Sequence, residues 1–277
     1  MRRRSFLKSA ALATVGASLL PSLAFATPKK KIPLGVQIYS VRDAAKNDLE
    51  GTLKGIAKIG YECVEFAGYY GKDPKDIRKM LDDCGLACCS THTGLGEIRG
   101  DKFEKTVDIH KTLGAKLIIV PSMGDHTSVD GAKKIAEEFN AIAEKAKKWD
   151  MFIGYHAHGH DAQLIDGIPA WERFFDAVDE DIVHQMDIGN YQSGHQGTPG
   201  DPYKMIEKFK GRSKSVHLKE GGPNSPIIGS GTVDWKRTFE LCETVGGTEW
   251  YIVEDEKGPN SLERIEKCFK AIQEMWA

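Results

Sequence analysis

The chain has 277 residues, a formal net charge of −2 and 40% hydrophobic residues, enough for one large core. The charge argues against nucleic-acid binding, because affinity for phosphate backbones requires a surplus of Lys and Arg. Its six cysteines form no Cys-x-x-Cys pair, which argues against a zinc ribbon, and we interpret them as small core residues.

The first 26 residues have the pattern of an export signal. Arginines at positions 2–4 precede a weakly apolar run at positions 10–20 and an Ala-Phe-Ala segment that ends at Ala26. A basic start, a short apolar run and a small-x-small site are typical of a secretory signal peptide, and the paired arginines resemble the twin-arginine type. The alternative is a basic arm with a chance apolar run. We expect cleavage after Ala26, a periplasmic location and no stable membrane association of the mature chain.

From Leu34 onward, short apolar runs alternate with stretches in which apolar residues recur every three or four positions, as they do in amphipathic helices. The predicted strands are Leu34–Tyr39, Glu62–Phe66, Ala87–Thr91, Leu117–Val120, Phe152–His156, His184–Ile188, Ser215–Leu218 and Tyr251–Glu254. The predicted helices are Asp48–Ile59, Pro74–Cys84, Lys102–Leu113, Val129–Trp149, Pro169–Val178, Pro202–Phe209, Asp234–Val245 and Ser261–Met275. This alternation predicts one α/β domain at residues 27–277, a (β/α)8 TIM barrel with an all-parallel sheet.

The predicted strands end in polar side chains. The active site of such a barrel lies at the carboxyl ends of its strands, and neighbouring strands are only ~4.8 Å apart. Mixed imidazole and carboxylate ligands suit one divalent ion such as Mn²⁺, Fe²⁺, Co²⁺ or Zn²⁺. The last four strands bring together the predicted metal ligands His156, Asp187, His217 and Glu254. The first three strands bring the predicted substrate-binding residues Gln37, Glu65 and His92 to the same rim.

Five segments resemble the xylose isomerase-like TIM barrels, the sugar phosphate isomerase/epimerase group that includes AP endonuclease 2-like and inosose dehydratase-like proteins. The resemblance covers essentially the whole mature chain. The segments are Gly-Val-Gln37-Ile-Tyr-Ser-Val-Arg42, Gly154-Tyr-His-Ala-His158, Met186-Asp-Ile-Gly-Asn190, Val216-His-Leu-Lys-Glu220 and Val253-Glu254.

The resemblance implies that Asp187, His217 and Glu254 bind a catalytic metal ion. The epimerases have Glu at the end of strand five, where this chain has His156. Related proteins have an acid further on, at the position of Asp161 here. The fourth ligand is therefore His156 or Asp161, and we favour His156.

Together these features predict a metal-dependent sugar isomerase or epimerase that acts through an enediolate. We expect Glu254 to be the base, with His158 as the second candidate. Lys219 is expected to polarise a carbonyl or donate a proton. Candidates for stacking on a sugar ring are Trp171, Trp235, Tyr69 and Tyr70, although most aromatic residues in such barrels belong to the core.

The expected substrate is a small carbohydrate without phosphate, a sugar or keto-sugar, because the sequence has no Gly-rich phosphate loop and no evident basic cluster at the barrel mouth. One alternative is a lyase or hydrolase that acts on 3-keto-glycosides through the same metal site. Another is a catalytically silent barrel that only binds carbohydrate. An oligomer is compatible with the sequence, which does not indicate its size.

Overall fold

The computed structural model describes residues 31–124, 126, 128–222, 226–256 and 261–277. The predicted signal peptide and the start of the predicted domain therefore lie outside the described residues. Within the described part of the chain, no helix is long and apolar enough to cross a bilayer.

Eight short parallel strands close into one barrel, which confirms the predicted (β/α)8 fold. The strands are β1 Leu34–Gln37, β2 Cys63–Phe66, β3 Ala87–His92, β4 Leu117–Val120, β5 Phe152–His156, β6 Val183–Asp187, β7 Ser215–Leu218 and β8 Trp250–Val253. Their order around the barrel is β1-β8-β7-β6-β5-β4-β3-β2, and β1 pairs with β8 to close it.

Helices surround the barrel and follow the strands along the chain. The α-helices are α1 Arg42–Asn47, α2 Leu49–Ile59, α3 Pro74–Cys84, α4 Lys102–Leu113, α5 Val129–Lys147, α6 Ala170–Ala177, α7 Ile188–Ser193, α8 Pro202–Lys208, α9 Trp235–Leu241 and α10 Ser261–Trp276. Single turns of 3-10 helix lie at Ile38–Val41, Leu95–Ile98 and Gly159–Ala162, a π-helical turn at Cys242–Gly246, and a hairpin at Leu164–Ile165 and Ile168–Pro169. The sequence did not predict α1, α7 or the hairpin.

The helix ends follow local chemistry that the sequence displays. The carboxylates of Asp48, Asp73 and Asp201 each accept a hydrogen bond from a backbone N–H of the first turn that has no partner within the helix. Helices α2 and α3 end at Gly60 and Gly85, which adopt left-handed backbone angles that other residues rarely tolerate. These caps confirm the predicted boundaries of α3 and place the start of α2 one residue later than predicted.

Strand β1 is shorter than predicted because of one side chain. The amide oxygen of Gln37 accepts a hydrogen bond from the backbone N–H of Tyr39 at 3.0 Å and starts the 3-10 turn Ile38–Val41. Glu254 lies one residue past β8, where its own N–H still donates to the carbonyl of Leu218 at 3.1 Å. Both changes leave the polar side chains at the carboxyl-terminal mouth of the barrel.

The barrel interior is apolar at one level and polar near the mouth. Leu117, Ile119 and Val183 form a buried cluster inside the barrel. Towards the mouth, the interior positions carry Gln37, Glu65 and Gln185, each fully buried. The six cysteines are free thiols, and all but Cys84 are buried, as predicted for core residues.

Substitution of Gly154 tests how tightly β5 packs beneath the site. A Cβ at this position would lie 2.6 Å from Cδ1 of Ile119 and 2.8 Å from Cβ and O of Val183. We expect Gly154→Ala to lower the free energy of unfolding by about 1–3 kcal/mol, because the neighbours include backbone that cannot move aside. Chemical denaturation of the metal-free protein measures this change in the free energy of unfolding.

The matched control is Gly96→Ala, since nothing lies within 4 Å of a Cβ built at Gly96. It should change the free energy of unfolding by less than about 0.5 kcal/mol. Equal effects of the two substitutions would contradict the packing argument.

Candidate metal centre

Four polar side chains from consecutive strands converge at the carboxyl-terminal mouth. His156 and Asp187 are the last residues of β5 and β6, His217 lies within β7, and Glu254 follows β8. Asp187 and His217 are paired neighbours in the parallel register. All four side chains are almost completely buried. The parallel sheet therefore gathers four buried groups that each lose hydration, and such groups need partners or a metal ion.

The geometry of these four residues suits a shared ion. One ligand atom from each lies within 4.8 Å of every other. Ligand atoms bound ~2.1 Å from one ion lie at most ~4.2 Å apart, so a pair of atoms at the 4.8 Å limit would need to approach by about 0.6 Å. Nε2 of His156 faces Oδ2 of Asp187 at 3.9 Å, and Nδ1 of His217 faces Oε2 of Glu254 at 2.5 Å. The four residues could therefore hold a metal ion.

The electrostatics of the site also favour a cation. Burial and the nearby Glu254 raise the pKa of Asp187 to about 7, although Lys219 opposes them. Burial alone would lower the pKa of His217, but the carboxylates of Glu65 and Glu254 on either side of its ring raise it to about 10. In the metal-free protein, the positive charge between these carboxylates is a proton, and a bound metal ion would displace it.

Asp187 is held in place by the helix that it starts. Its Oδ1 accepts from the backbone N–H of Asn190 at 2.9 Å, and its Oδ2 accepts from Nδ2 of Asn190 at 2.7 Å. The carboxylate thus caps α7 while it faces the metal ligands. The Met-Asp-Ile-Gly-Asn segment of the sequence provides both partners of this cap.

Lys219 lies at the edge of the same cluster. Its Nζ donates to Oε1 of Glu254 at 3.1 Å and to Oε2 of Glu256 at 2.8 Å, and it lies 4.0 Å from Oδ2 of Asp187. Burial lowers the pKa of Lys219, but these three carboxylates outweigh it and the net pKa is raised. The side chain is therefore a charged donor within reach of the predicted base.

A cavity of about 290 Å³ opens onto the cluster. It is lined by Gln37, Tyr39, Ala67, His92, Pro121, His156, His158, Glu254 and Glu256. Nδ1 of His158 is buried and has no hydrogen-bond partner within the described part of the chain. His158, the second candidate for the base, thus presents an imidazole to the cavity, and its catalytic role stays a prediction.

Asp161, the alternative fourth ligand, belongs to a different group. Its Oδ1 accepts from the hydroxyl of Tyr155 at 2.9 Å and pairs with Nε2 of His126 at 2.6 Å. Its Oδ2 accepts from the backbone N–H of His158 at 2.6 Å. Burial lowers the pKa of His126, but Asp161 more than compensates and raises it overall. Since both oxygens of Asp161 have partners away from the cluster, the geometry favours His156.

The three predicted substrate-binding residues differ in position. His92 and Gln37 line the cavity, although the side chain of Gln37 is fully buried. Glu65 is fully buried and is absent from the described lining of the cavity. Substrate contact stays a prediction for all three, and the contacts of Glu65 with Gln37 and His217 point to another role.

Of the four aromatic candidates for stacking on a sugar, the two tryptophans are core residues, so the prediction is wrong for them. Trp171 is completely buried, and its Nε1 donates to Nε2 of His184 at 2.7 Å. Trp235 is also buried, and its Nε1 donates to Oε2 of Glu220 at 2.8 Å. The exposed aromatic at the cavity is Tyr39, with 43% of its surface accessible.

Gln185, a position beside the site, and Glu220, a structural carboxylate, were both missed from the sequence. Gln185 lies two residues before Asp187 on β6, so strand alternation turns both side chains into the barrel, a signal that the sequence did contain. Glu220 carries four hydrogen bonds, from the backbone N–H groups of Gly221, Gly229 and Val233 and from Trp235. Nothing in the sequence indicated that this carboxylate organises the loop after β7.

Comparison with known proteins defines the class. The model of the xylose isomerase-like TIM barrel family matches residues 53–274, and the chain belongs to this family. Two similar proteins are the inosose dehydratases of Lacticaseibacillus casei and Klebsiella pneumoniae. The first is 26% identical over 265 residues, which cover 80% of this chain and 87% of that protein. The second is 25% identical over 279 residues, which cover 83% and 91%.

Among solved structures, a sugar phosphate isomerase/epimerase from Parabacteroides distasonis is 27% identical with a TM-score of 0.75. The match covers 92% of this chain and 98% of that one. The resemblance to this family that the sequence motifs suggested is thereby confirmed.

Removal of each candidate fourth ligand distinguishes His156 from Asp161. We expect His156→Ala to weaken metal binding by more than the ~10–100-fold that is typical of losing an outer-shell partner. Asp161→Asn should keep the wild-type metal affinity and lower only thermal stability, because it disrupts the buried contact with His126. Competition with a chromophoric chelator measures the affinity. Loss of metal in Asp161→Asn, with retention in His156→Ala, would reverse the assignment.

Proposed function

We propose that the protein is a divalent-metal-dependent carbon–oxygen lyase that acts on a keto-sugar or a related cyclic keto-polyol. The observation that carries the proposal is the buried set His156, Asp187, His217 and Glu254, with Lys219 at its edge. The names of the relatives support elimination, since the two inosose dehydratases align along more than four fifths of their own length.

The reaction begins with loss of the proton on the carbon next to the carbonyl. A divalent ion, when held by the four residues, would supply the Lewis acidity that makes loss of this proton easier. Glu254 is the base, since its carboxylate lines the cavity and lies within the cluster. The C–H bond breaks, its electron pair enters the enediolate, and the proton passes to the Glu254 carboxylate or, as the second candidate, to His158.

Elimination then requires an acid for the leaving hydroxyl. Lys219 suits this step, because its ammonium lies 3.1 Å from Oε1 of Glu254 and is held charged by the surrounding carboxylates. The enediolate electron pair forms the new double bond as the carbon–oxygen bond breaks. The hydroxyl takes the proton from Lys219 and leaves as water.

Isomerisation or epimerisation, the function first expected from the sequence, is the second candidate. It shares the initial proton removal, and the Parabacteroides distasonis isomerase/epimerase supports it. Epimerisation returns a proton to the opposite face of the carbon and so needs a second base there. This chain has His156, turned towards the metal ligands, where the epimerases have Glu at strand five. That difference leads us to favour elimination.

A substrate without phosphate fits the cavity. Within the described residues, the cavity lining holds two carboxylates, Glu254 and Glu256, and neither Lys nor Arg. A phosphate group there would meet these two carboxylates, and Lys219, which lies beside them, is already paired with both. This charge distribution supports a neutral keto-sugar, and we also propose that nucleic acid is not a ligand.

We propose in addition that the chain is exported, by the twin-arginine route, and acts in the periplasm. This proposal depends only on the basic and weakly apolar pattern of residues 1–26. Export of the folded protein would allow the metal site to load before transport.

The choice of reaction can be tested in deuterium oxide. Residues 27–277, loaded with Mn²⁺, Co²⁺ or Zn²⁺, are incubated with a panel of inososes and keto-sugars, and mass spectrometry records the products. We expect a product lighter by one water. Glu254→Gln should abolish both this product and deuterium exchange. Lys219→Met should slow product formation by ~10²–10⁴-fold while exchange persists, because Lys219 acts after proton removal.

Lys270→Met is the matched control, since Lys270 is an exposed residue paired with Glu266 on the outer surface of α10. It should behave as the wild type. A product of unchanged mass that carries deuterium would establish isomerisation or epimerisation instead. Binding without exchange or elimination, across the panel and all three metals, would leave the protein as a carbohydrate-binding barrel.

A further inference from the structure

A layer of buried polar side chains lies beneath the four metal ligands. We call it the polar platform and define it as Gln37, Glu65, Ser90, Gln185 and Ser215, from β1, β2, β3, β6 and β7. All five are fully buried. Apolar residues normally fill the interior of such a barrel, so a hydrogen-bonded layer here calls for a physical reason.

Glu65 is the central acceptor of the platform. Its Oε1 accepts from Nε2 of Gln37 at 2.7 Å and from Nε2 of His217 at 2.6 Å. Its Oε2 accepts from Nε2 of Gln185 at 2.8 Å and from the hydroxyl of Ser90. Because these neighbours all donate, the site requires a group that accepts at both oxygens. An ionised carboxylate does so, whereas an amide cannot.

Gln185 connects Glu65 to a second histidine, His156, and the direction of each hydrogen bond in this chain is fixed by the one before it. The amide nitrogen of Gln185 donates to Glu65 and to Oγ of Ser215 at 2.8 Å, which leaves its oxygen as an acceptor. That oxygen lies 2.9 Å from Nδ1 of His156. The proton of His156 is therefore on Nδ1, and its Nε2 turns a free lone pair towards Asp187.

We propose that Glu65 is a positioning residue that fixes the tautomers of both histidine ligands. It accepts the Nε2–H of His217 directly, which leaves Nδ1 for the ion, and it sets the Nδ1–H form of His156 through Gln185. The inference rests on the proposed function, since it places the ion among these ligands. It assigns Glu65 a role different from the substrate contact expected from the sequence.

The effect of Glu65→Gln follows from the direction of each hydrogen bond. The new amide presents an N–H group where Gln185 or His217 already donates. Where the new N–H group faces Gln185, the conflict is relieved by rotation of the Gln185 amide, which turns an N–H group towards Nδ1 of His156 and Nε2 of His92. The proton of His156 then moves to Nε2, and the nitrogen that faces the ion has no lone pair to offer.

Metal affinity is the direct readout, and it does not depend on activity. We expect Glu65→Gln and Gln185→Met each to weaken Co²⁺ and Zn²⁺ binding by ~10–100-fold, the range for outer-shell partners of histidine ligands. Chelator competition gives the affinity, and the visible absorption of bound Co²⁺ reports changes at the ligands. Circular dichroism of the metal-free proteins shows that each variant folds, and Gln185→Met tests the same chain of contacts if Glu65→Gln does not fold.

The double variant Glu65→Gln with Gln185→Glu restores the pattern of hydrogen-bond donors and acceptors, because it moves the negative charge from position 65 to position 185. The amide at position 65 accepts from His217 and donates to the carboxylate at position 185, which accepts the Nδ1–H of His156. We expect it to recover at least ~10-fold of the affinity lost in Glu65→Gln, a coupling that independent sites would not show. A role limited to packing would give two additive losses.

Glu220→Gln is the matched control, because Glu220 is also buried and accepts four hydrogen bonds but contacts none of the four ligands. It should lower thermal stability and leave metal affinity unchanged. Wild-type affinity in Glu65→Gln, or an equal loss in Glu220→Gln, would overturn the positioning role while the proposed function stands. A wild-type protein that binds no divalent metal would overturn both.

Discussion

Compensation of buried negative charge is the constraint on which the mouth of the barrel depends. Glu65, Asp187 and Glu254 place three carboxylates in one buried region, and Lys219 supplies one full positive charge against them. The metal-free protein meets the remaining demand with protons, as the raised pKa values of His217 (about 10) and Asp187 (about 7) indicate. A divalent ion held there would supply positive charge in place of these protons.

The closed parallel sheet creates this demand. Each β-strand runs in the same direction, so the carboxyl-terminal residues of β5 to β8 meet at one rim whatever their chemistry. Burial then makes any charged group there costly unless it is paired. The imidazoles and carboxylates at these positions therefore carry a free-energy cost of burial, and they carry it beside the cavity.

The parts of the structure that follow from local pattern could be predicted from the sequence. Alternation of short apolar runs with helical periodicity gave the barrel, and strand ends gave His156, Asp187, His217 and Glu254 as neighbours. The same reasoning placed Glu65 at the rim but not its orientation, because whether a side chain turns to the cavity or to a buried partner depends on rotamers. The prediction that Trp171 stacks on a sugar failed for a similar reason. Its indole N–H turns to His184, a partner on a different element that the sequence pattern does not reveal. The carboxylate of Glu220, which holds the loop after β7, could not be found from sequence spacing at all.

The polar platform gives the barrel interior beneath the site a defined pattern of hydrogen-bond donors and acceptors. Replacing interior hydrophobic contacts with a hydrogen-bonded layer gains little stability, because each polar group first loses its hydration. What the layer adds is the direction of its hydrogen bonds. Apolar packing would hold the rings of His156 and His217 in place but would not determine which nitrogen carries the proton. A chain of donors and acceptors from Glu65 through Gln185 does determine it. The interior layer beneath the site is thus better understood as part of the candidate metal centre than as part of the core.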